Sequence, residues 1–238
     1  MNEVRNFFVT GTDTEVGKTL VAGALIVKLR DAGLDAVGFK PVAAGTYKDD
    51  SGCTLNEDLE TLRIASNLAP NKLSLCPFVL DEPAAPHLAA KNKGLHLDCT
   101  TILKEQAKLQ PQFHSMVVEG AGGFLVPLNE TEDLGNLAQA LDFPVIVVIG
   151  MRLGCINHAL LTCEAIQSRQ LSIAGWVANT FSERMPLFEE NLQTLKERIS
   201  APCLGVIPSL PREFAKSQNA PYSIGALRFA AEHINLPE

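Results

Sequence analysis

Residues 11–19 read GTDTEVGKT and lie between an apolar stretch at Asn6–Thr10 and a periodic apolar stretch that begins at Leu20. A glycine-containing loop between a strand and a helix, ending in Gly-Lys-Thr, is typical of phosphate-binding loops. The backbone N–H groups of such a loop converge on phosphate oxygens, and the helix N-terminus adds partial positive charge. Lys18 would then place a charge beside the terminal phosphates, and Thr19 would offer a hydroxyl to Mg²⁺. An incidental glycine turn is the less favoured alternative.

The loop is a variant of its class. The strict pattern G-x-x-x-x-G-K-[ST] requires glycine at the position of Thr12, whereas the glycine of this chain is Gly11. Asp13, Thr14 and Glu15 are unusually polar for the interior of such a loop. The polarity of these three residues therefore bears on which ligand the loop binds.

Composition favours a single globular domain that does not bind nucleic acid. The chain has 238 residues, 46% of them hydrophobic, which suits one well-buried α/β domain over residues 1–238 and is short for two. Its 27 acidic residues outnumber its 20 basic residues, giving a formal charge of −7. Because no basic run offsets this charge, a nucleic-acid partner is disfavoured.

Cysteine usage and hydropathy indicate a cytoplasmic protein without a membrane partner. The six cysteines form no CxxC pair and no zinc-type spacing. The first eight residues lack the basic and apolar regions of a secretion signal, which favours reduced thiols over disulfides. The longest strongly apolar run, Phe143–Met151, is about half as long as a membrane span requires.

Strand-like and helix-like segments alternate along the chain, which predicts an α/β fold of the phosphate-loop NTPase type. We expect a mostly parallel sheet with helices on both faces. The predicted strands are Asn6–Thr10, Ala36–Lys40, Ser115–Glu119, Val145–Ile149, Ile173–Ala178 and Cys203–Ile207. The predicted helices are Lys18–Ala32, Asn56–Ser66, Thr101–Leu109, Leu134–Leu141, Ile156–Ser168, Pro186–Ile199 and Ser223–Ile234. A short strand near Leu73–Phe78 and a short helix after Pro86 are also expected.

Lys40 stands at the carboxyl end of the second predicted strand, in the sequence GFKPVAAGT. Pro41 follows it and disfavours a helical conformation at Lys40. Ligands bind at the carboxyl ends of strands in folds of this kind, so the lysine should face the same crevice as the phosphate loop. There it would stabilise charge on a transferring phosphoryl group or an acidic intermediate. A solvated lysine at a strand end is the alternative.

Glu119 ends another predicted strand, in the sequence VVEGAGG. Gly120, Gly122 and Gly123 allow the backbone to approach a ligand closely. A carboxylate at this place can hold Mg²⁺ directly or through water, and an incidental glutamate in a tight turn is the alternative. Asp58, at the start of the second predicted helix, is a further Mg²⁺ candidate, although alone it suits a first-turn acid that interacts with the helix dipole.

Weaker signals follow the remaining strands. The sequence MRLGCINH leads from Val145–Ile149 into a helix, and the free N–H groups near Gly154 could bind an anion, with Asn157 adding an amide. The residues alone favour simple helix capping there. Asn179 and Pro208 end the last two strands, where an adenine could bind, and this signal by itself is weak.

The motifs GTDTEVGKT, FKPVAAGT, EGAGG, LGCINH, GWVAN and GVIP occur in this order. From Phe8 to about Leu210 the chain thereby resembles the dethiobiotin synthetase family. The resemblance implies ATP- and Mg²⁺-dependent ring closure of 7,8-diaminononanoate with CO₂, giving dethiobiotin, ADP and phosphate. It also implies a carbamate and a carbamic-phosphoric anhydride as intermediates, because an unactivated carbamate has a poor leaving group.

The resemblance also implies roles for individual residues. Lys18, Lys40 and Thr14 would be catalytic, and Thr19, Asp58 and Glu119 would hold Mg²⁺. The nucleotide would be bound by Glu15, Val16, Gly17, Lys18, Thr19, Leu20, Asp58, Glu119, Gly120, Ala121, Gly122, Asn179, Thr180, Pro208, Ser209 and Leu210. The substrate would be bound by Lys40, Ala44, Gly154, Cys155 and Asn157. In the family the site for the substrate's carboxylate tail comes from the other subunit, so a homodimer is implied.

Two positions depart from the family pattern. Where the family usually has a serine that contacts the substrate, this chain has Ala44. The family also often has a glutamate near the nucleotide ribose, and that register falls near Ala215, with Glu213 close by. Neither departure touches the phosphate or metal chemistry.

Three alternatives share parts of this pattern. Switch ATPases of the partitioning or septum-positioning type have the same fold but usually carry an extra lysine early in the loop (KGGxGKT), where this chain has Thr12–Asp13–Thr14. Amidoligases that act on cofactor precursors usually carry an additional glutamine-amidotransferase domain. A non-catalytic nucleotide-binding module would leave the two lysines and the metal-ligand candidates unexplained.

Overall fold

Strands and helices alternate along the chain in the structure, a computed structural model that describes residues 5–49, 51–70, 73–181, 185–217 and 219–237. The strands are β1 (Phe7–Gly11), β2 (Ala36–Phe39), β3 (Val42–Ala44), β4 (Tyr47–Lys48), β5 (Thr54–Leu55), β6 (Phe78–Leu80), β7 (Ser115–Glu119), β8 (Val145–Gly150), β9 (Ile173–Asn179) and β10 (Cys203–Ile207). The α-helices are α1 (Lys18–Asp31), α2 (Glu57–Ala65), α3 (Pro86–Asn92), α4 (Cys99–Leu109), α5 (Leu134–Leu141), α6 (Cys155–Ser168), α7 (Phe188–Arg198) and α8 (Ile224–Glu232). Short 3₁₀ helices lie at Gln110–Gln112 and Arg212–Phe214.

A parallel sheet in the order β10-β9-β8-β1-β7-β2 forms the centre of the molecule. Every residue of β1, β7 and β8 is buried, which explains why these strands are continuous apolar runs rather than alternating ones. Helices flank the sheet, and α1 packs so closely on α8 that a Cβ on Gly23 would lie 2.6 Å from a methyl of Leu227. The prediction of an α/β fold with a mostly parallel sheet is confirmed.

Strand register brings the candidate residues to one edge of the sheet. Val9 of β1 is paired with Glu119 of β7 on one side and with Ile146 of β8 on the other. Phe39, the last residue of β2, is paired with Val118. The segments that leave these four strands therefore begin side by side, and they include the phosphate loop, Lys40, the glycine turn after β7 and the turn before α6.

The strand expected at Leu73–Phe78 is wrong. The strand of this region is β6, Phe78–Leu80, which pairs in parallel with β3 in a small separate sheet. Pro77 has no N–H to contribute to a ladder immediately before it. Upstream, the carbonyl of Leu75 instead accepts a hydrogen bond from the backbone N–H of Lys40 at 2.8 Å. The antiparallel hairpin of β4 and β5 has no counterpart among the predictions.

Most helix boundaries agree with the predictions to within two residues, and side-chain caps explain the differences. Asn56 and Asp98 cap α2 and α4, so these helices begin at Glu57 and Cys99 rather than at 56 and 101. The helix predicted from Pro186 begins only at Phe188, because Leu187 has a left-handed backbone conformation (φ 52°) that interrupts it.

None of the helices in the described ranges combines the length and the apolar character that crossing a bilayer requires. All six cysteines lie in those ranges and are free thiols.

Candidate active site

A buried cluster of charged side chains lies at the edge where β2 and β7 end. The Lys40 ammonium, 3% exposed, lies 2.8 Å from Glu119 Oε1 and 3.0 Å from Asp58 Oδ2. Lys40 follows β2, Glu119 ends β7, and Asp58 lies in the first turn of α2. Two carboxylates thus share one ammonium group; Lys40 and Glu119 are buried, whereas Asp58 is 28% exposed.

The hydroxyl of Thr19, in the first turn of α1, joins this cluster. Its Oγ1 lies 2.7 Å from Asp58 Oδ1 and 2.7 Å from Glu119 Oε1. A hydroxyl has one proton and can donate to only one of these oxygens at a time. The hydroxyl therefore satisfies only one of these two carboxylate oxygens.

Burial and charge act on the cluster in opposite directions. Burial raises the pKa of Glu119, and neighbouring Asp58 raises it further, so the attraction of Lys40 offsets the shift only in part. Burial also raises the pKa of Asp58, but Lys40 and the Thr19 hydroxyl hold it below its usual value. Burial lowers the pKa of Lys40, whereas the two carboxylates raise it more, so the lysine stays charged.

One oxygen of the cluster lacks a protein partner. Glu119 Oε2 is buried and accepts no hydrogen bond from the described residues. An orphaned carboxylate oxygen beside a second carboxylate and a hydroxyl matches the oxygen ligands that Mg²⁺ prefers. The described residues contain no group of three His, Cys, Asp or Glu side chains that could hold a metal alone. A divalent ion would therefore rely on the hydroxyl and on ligand or water oxygens as well.

Lys18 faces the same crevice from the phosphate loop. Its Nζ donates to the backbone carbonyl of Asp13 at 2.9 Å. Burial lowers the pKa of Lys18 to about 8, with a further lowering from the nearby charge of Lys40. A bound polyanion would supply the negative charge that this lysine lacks.

The phosphate loop has the backbone conformations that such a loop requires. Gly17 has φ +97°, and a Cβ there would lie 2.3 Å from Nδ2 of Asn179. Glu15 has φ 59°, a conformation that non-glycine residues rarely adopt outside functional loops. Gly122 of the turn after β7 lies close to the loop, since its Cβ would be 3.6 Å from Thr14 Oγ1.

Asn56 connects the loop around Ala44 to the helix that carries Asp58. Its side-chain oxygen caps α2 by accepting from the N–H groups of Asp58 and Leu59, each at 3.1 Å. Its Nδ2 donates to the carbonyl of Gly45 at 2.7 Å. Sequence reasoning took Asn56 only as the first residue of a helix, and it missed this second contact because nothing local signals it.

The start of α6 is shaped to present backbone N–H groups. Gly154 has φ +95°, and its Cβ position is open space. The N–H of Cys155 donates to the carbonyl of Arg152 at 3.0 Å, and the Cys155 side chain is buried. The N–H groups of Ile156 and Asn157 have no backbone acceptor among the described residues. An anion would therefore meet these two groups, and Cys155 would contribute through the turn rather than its thiol.

The ends of β9 and β10 lie beside the phosphate loop. Asn179 Nδ2 donates to the carbonyl of Val16 at 3.0 Å, which leaves the side-chain oxygen out of that bond. Thr180 N donates to the carbonyl of Ile207 at 2.9 Å, and Ser209 Oγ bonds to the carbonyl of Phe181. The segment Pro208–Leu210 is partly exposed and forms the outer wall of this edge.

Known proteins with similar sequences identify the family. Residues 5–214 match the family described as "AAA domain". The ATP-dependent dethiobiotin synthetase BioD of Ralstonia nicotianae is 46% identical over 96% of this chain and 94% of its own length. The enzyme of the same name from Aromatoleum aromaticum is 47% identical over 93% of this chain and its whole length. The chain belongs to the dethiobiotin synthetase family. It is accordingly a ligase, and its place is in ATP-dependent biotin synthesis.

Solved structures confirm the fold of this dethiobiotin synthetase family member. The septum site-determining protein MinD of Pyrococcus horikoshii, solved with Mg-ADP, has a TM-score of 0.57 and covers 96% of this chain and 94% of that one. The cell division ATPase MinD of Pyrococcus furiosus has a TM-score of 0.55 and covers 96% and 97%. At 15% identity in both cases, these likenesses show a shared phosphate-loop NTPase architecture and nothing about activity.

Lys216 and Tyr222 also lie near the cluster, although the sequence analysis did not predict them as site residues. Lys216 Nζ lies 2.7 Å from Glu57 Oε1 and 5.3 Å from the ring centre of Tyr222. The backbone N–H of Tyr222 donates to Thr61 Oγ1 across 161 positions of sequence. Burial and the charge of Asp58 raise the pKa of Tyr222 to about 12, so it stays a neutral phenol at the cluster's edge. No motif marks either residue, and only the fold brings them to α2.

Proposed function

We propose that this chain catalyses the ATP- and Mg²⁺-dependent conversion of 7,8-diaminononanoate and CO₂ to dethiobiotin, ADP and phosphate. The observation that carries the proposal is the buried cluster of Lys40, Asp58, Glu119 and Thr19 beside the phosphate loop. Such a cluster suits transfer of a phosphoryl group to an acidic acceptor, in which positioning and charge stabilisation do most of the work.

The proposed reaction has three steps: carbamate formation, phosphorylation and ring closure. One amine of the substrate attacks CO₂ and loses a proton, which gives a carbamate. A carbamate oxygen then takes the γ-phosphoryl group of ATP, and ADP leaves. Finally the second amine attacks the activated carbon, the bond from that carbon to the phosphate oxygen breaks, and phosphate leaves as the five-membered urea ring closes. The attacking amine loses its proton in this last step.

Lys18 and Lys40 would act on the negative charge that moves during phosphoryl transfer. Lys18 lies in the phosphate loop, and the ammonium that bonds the carbonyl of Asp13 would also donate to phosphate oxygens. Lys40 would approach the carbamate and the transferring group from the end of β2, with Thr14 facing the same crevice from the loop. Since both ammonium groups are buried, their interaction with developing charge is stronger than in water.

The oxygens of Thr19, Asp58 and Glu119 fit a Mg²⁺ ion, and the orphaned Glu119 Oε2 supports this assignment. When bound, the ion would neutralise phosphate charge next to the loop. Lys40 now supplies the positive charge that the two carboxylates need. A bound cation would free the lysine to interact with substrate oxygens.

We assign the remaining candidate residues to the two ends of the substrate and to the nucleotide. The reacting diamine would lie by Lys40 and Ala44, and the N–H groups near Gly154, Cys155 and Asn157 would bind the carboxylate tail of a substrate held by the other subunit of a homodimer. The other nucleotide contacts would come from Glu15, Val16, Gly17, Leu20, Gly120, Ala121 and Gly122 around the phosphates, and from Asn179, Thr180, Pro208, Ser209 and Leu210 around adenine.

Phosphate release tests this proposal against a switch ATPase of the MinD type. With ATP and Mg²⁺, release should require both the diamine and bicarbonate, and one dethiobiotin should form per phosphate. The matched control omits only the diamine. ATP hydrolysis that proceeds at the same rate without the diamine would contradict the ligase mechanism and favour the switch.

The lowered pKa of Lys18 predicts that nucleotide binding takes up a proton. Phosphate oxygens favour the charged lysine, so a Lys18 with a pKa of about 8 gains about a tenth of a proton at pH 7 and about half a proton at pH 8. Calorimetric titration of ADP in buffers of different ionisation enthalpy measures this uptake. Lys18→Gln should lose the uptake, and an unchanged value in that variant would assign it to another group.

Ala44→Ser should lower the KM for the diamine by up to about tenfold, the scale of one added hydrogen bond of about 1 kcal/mol. The substituted position is half-buried in the loop that Asn56 holds, where the family usually has serine. Steady-state kinetics at saturating ATP measures the change, and the KM for ATP serves as the internal control. An unchanged diamine KM would show that this loop does not need the hydroxyl.

A further inference from the structure

One ion pair joins the phosphate loop to the turn before α6. Arg152 Nη2 pairs with Asp13 Oδ2, across 139 positions of sequence. Arg152 is 48% exposed and Asp13 is 44% exposed. Exposed pairs of this kind contribute little to folding, so overall stability does not account for a charged residue inside the phosphate loop.

Asp13 is tied to the phosphate loop in two further ways. Its Oδ1 accepts from the backbone N–H of Thr14 at 2.7 Å. Its backbone carbonyl accepts from Lys18 Nζ at 2.9 Å. The Lys18 ammonium has three donors, so in an occupied loop the group that bonds this carbonyl would also donate to phosphate oxygens. Lys18 therefore connects the backbone of Asp13 to any phosphate bound in the loop.

Arg152 is tied to the turn that presents α6. Its N–H donates to the carbonyl of Gly150 at 3.0 Å, and its carbonyl accepts from the N–H of Cys155, also at 3.0 Å. The second bond closes the turn through Gly154, next to the N–H groups of Ile156 and Asn157 at the helix start. Any displacement of Arg152 therefore changes the position of the groups proposed to meet the substrate carboxylate.

The ion pair neutralises a negative charge inside the phosphate loop. The Asp13 carboxylate lies in a loop that would receive a polyanion, and like charges at short range repel. Arg152 neutralises it while leaving its bonds to Thr14 and Lys18 intact. Without Arg152 the aspartate would oppose the phosphates, and without Asp13 the arginine would lose the tether that fixes its turn.

We propose that the Asp13–Arg152 ion pair is a positioning device that links the two ligand sites, so that nucleotide binding and binding of the substrate carboxylate favour each other. Such coupling is reciprocal by necessity. The inference rests on the proposed function, since it takes the α6 turn as the tail site. In a homodimer whose tail sites serve the opposite subunit, the pair would connect the nucleotide of one active site with the substrate of the other.

Steady-state dethiobiotin formation tests the coupling in wild type, Arg152→Gln, Asp13→Asn, the double variant and Arg152→Lys. Arg152→Gln should raise the KM for the diamine and the KM for ATP by about three- to fivefold, the scale of one exposed ion pair. Arg152→Lys should restore both to within about twofold, because a lysine keeps the charge. The double variant should have a KM for the diamine no higher than that of Arg152→Gln. Its KM for ATP should be lower than that of Arg152→Gln, because no uncompensated carboxylate then faces the phosphates. Arg228→Gln, which removes a somewhat more exposed pair between the middle of α8 and Asp31 at the end of α1, is the matched control.

The carboxylate methyl ester of 7,8-diaminononanoate distinguishes a loss of positioning from a non-specific loss of activity. The ester lacks the tail charge, so Arg152→Gln should change its KM by less than about twofold. With an active wild type, two results would overturn the coupling. One is an equal effect of Arg152→Gln on the KM values for the acid and the ester, and the other is additive effects of Arg152→Gln and Asp13→Asn on KM. A wild type that makes no dethiobiotin would contradict the proposed function, and the coupling with it.

Discussion

Lys40→Gln should lower kcat for dethiobiotin formation by about a thousandfold, while the KM for ATP changes little. The amide stays polar but is one methylene shorter than lysine, and it removes the charge that would stabilise phosphoryl transfer; loss of one preorganised group costs about 100- to 1,000-fold. Lys108→Gln, which removes an exposed lysine paired with Glu105 on α4, is the control and should match the wild type. A Lys40→Gln enzyme within about tenfold of wild type would remove Lys40 from the mechanism.

The same substitution should destabilise the fold by about 3 kcal/mol, because Glu119 and Asp58 lose the ammonium that compensates them in a buried site. The deficit should be smaller at pH 5 than at pH 8. Glu119 has a raised pKa in the folded protein, so it binds more protons folded than unfolded, and the stability it contributes falls as pH rises. Urea unfolding at the two pH values measures this. Addition of Mg²⁺ should recover part of the deficit.

Gly17→Ala should weaken nucleotide binding by about a hundredfold. In the free protein the loop would relax from φ +97°, a conformation that costs an alanine about 1–2 kcal/mol, and nucleotide binding must restore it. The Cβ would also lie 2.3 Å from Asn179 Nδ2. The amide must then move and give up its bond to the carbonyl of Val16, worth about another 1 kcal/mol. Fluorescence titration with a labelled ADP gives the affinity.

Gly33→Ala is the matched control for this prediction. Gly33 has a similar backbone angle, φ +84°, but a Cβ there meets nothing within 4 Å. It should show the cost of the left-handed conformation in thermal unfolding and leave the nucleotide affinity unchanged. Equal affinities of the two variants would mean that the contact between Gly17 and Asn179 does not shape the site.

The sequence predicts the edge of the sheet where the structure brings the candidate residues together, because strand ends and their loops are local patterns. Lys18, Thr19, Lys40 and Glu119 each follow or end a recognisable element, and parallel pairing then brings them together. Asp58 was a Mg²⁺ candidate that by itself suited an ordinary first-turn acid, and the fold places it 3.0 Å from Lys40. Tertiary packing of α2 against the sheet made that selection.

Contacts over long separations had no local signal. Arg152 was read only as part of a helix-start motif, and Asp13 only as an unusual polar residue, because their pairing depends on the adjacency of β1 and β8. The strand placed at Leu73–Phe78 failed for a related reason. In that segment Leu75 bonds to the backbone of Lys40 rather than to a sheet, and the pairing begins only after Pro77.

We propose that the cluster beside the phosphate loop activates a carbamate for ring closure. Incubation with ATP, Mg²⁺, the diamine and labelled bicarbonate, followed by acid treatment, tests it most directly, because only a closed urea ring retains the label. We expect acid-stable label that depends on the diamine and is lost in Lys18→Gln and Lys40→Gln. ATP hydrolysis without fixed label, indifferent to the diamine, would contradict the account.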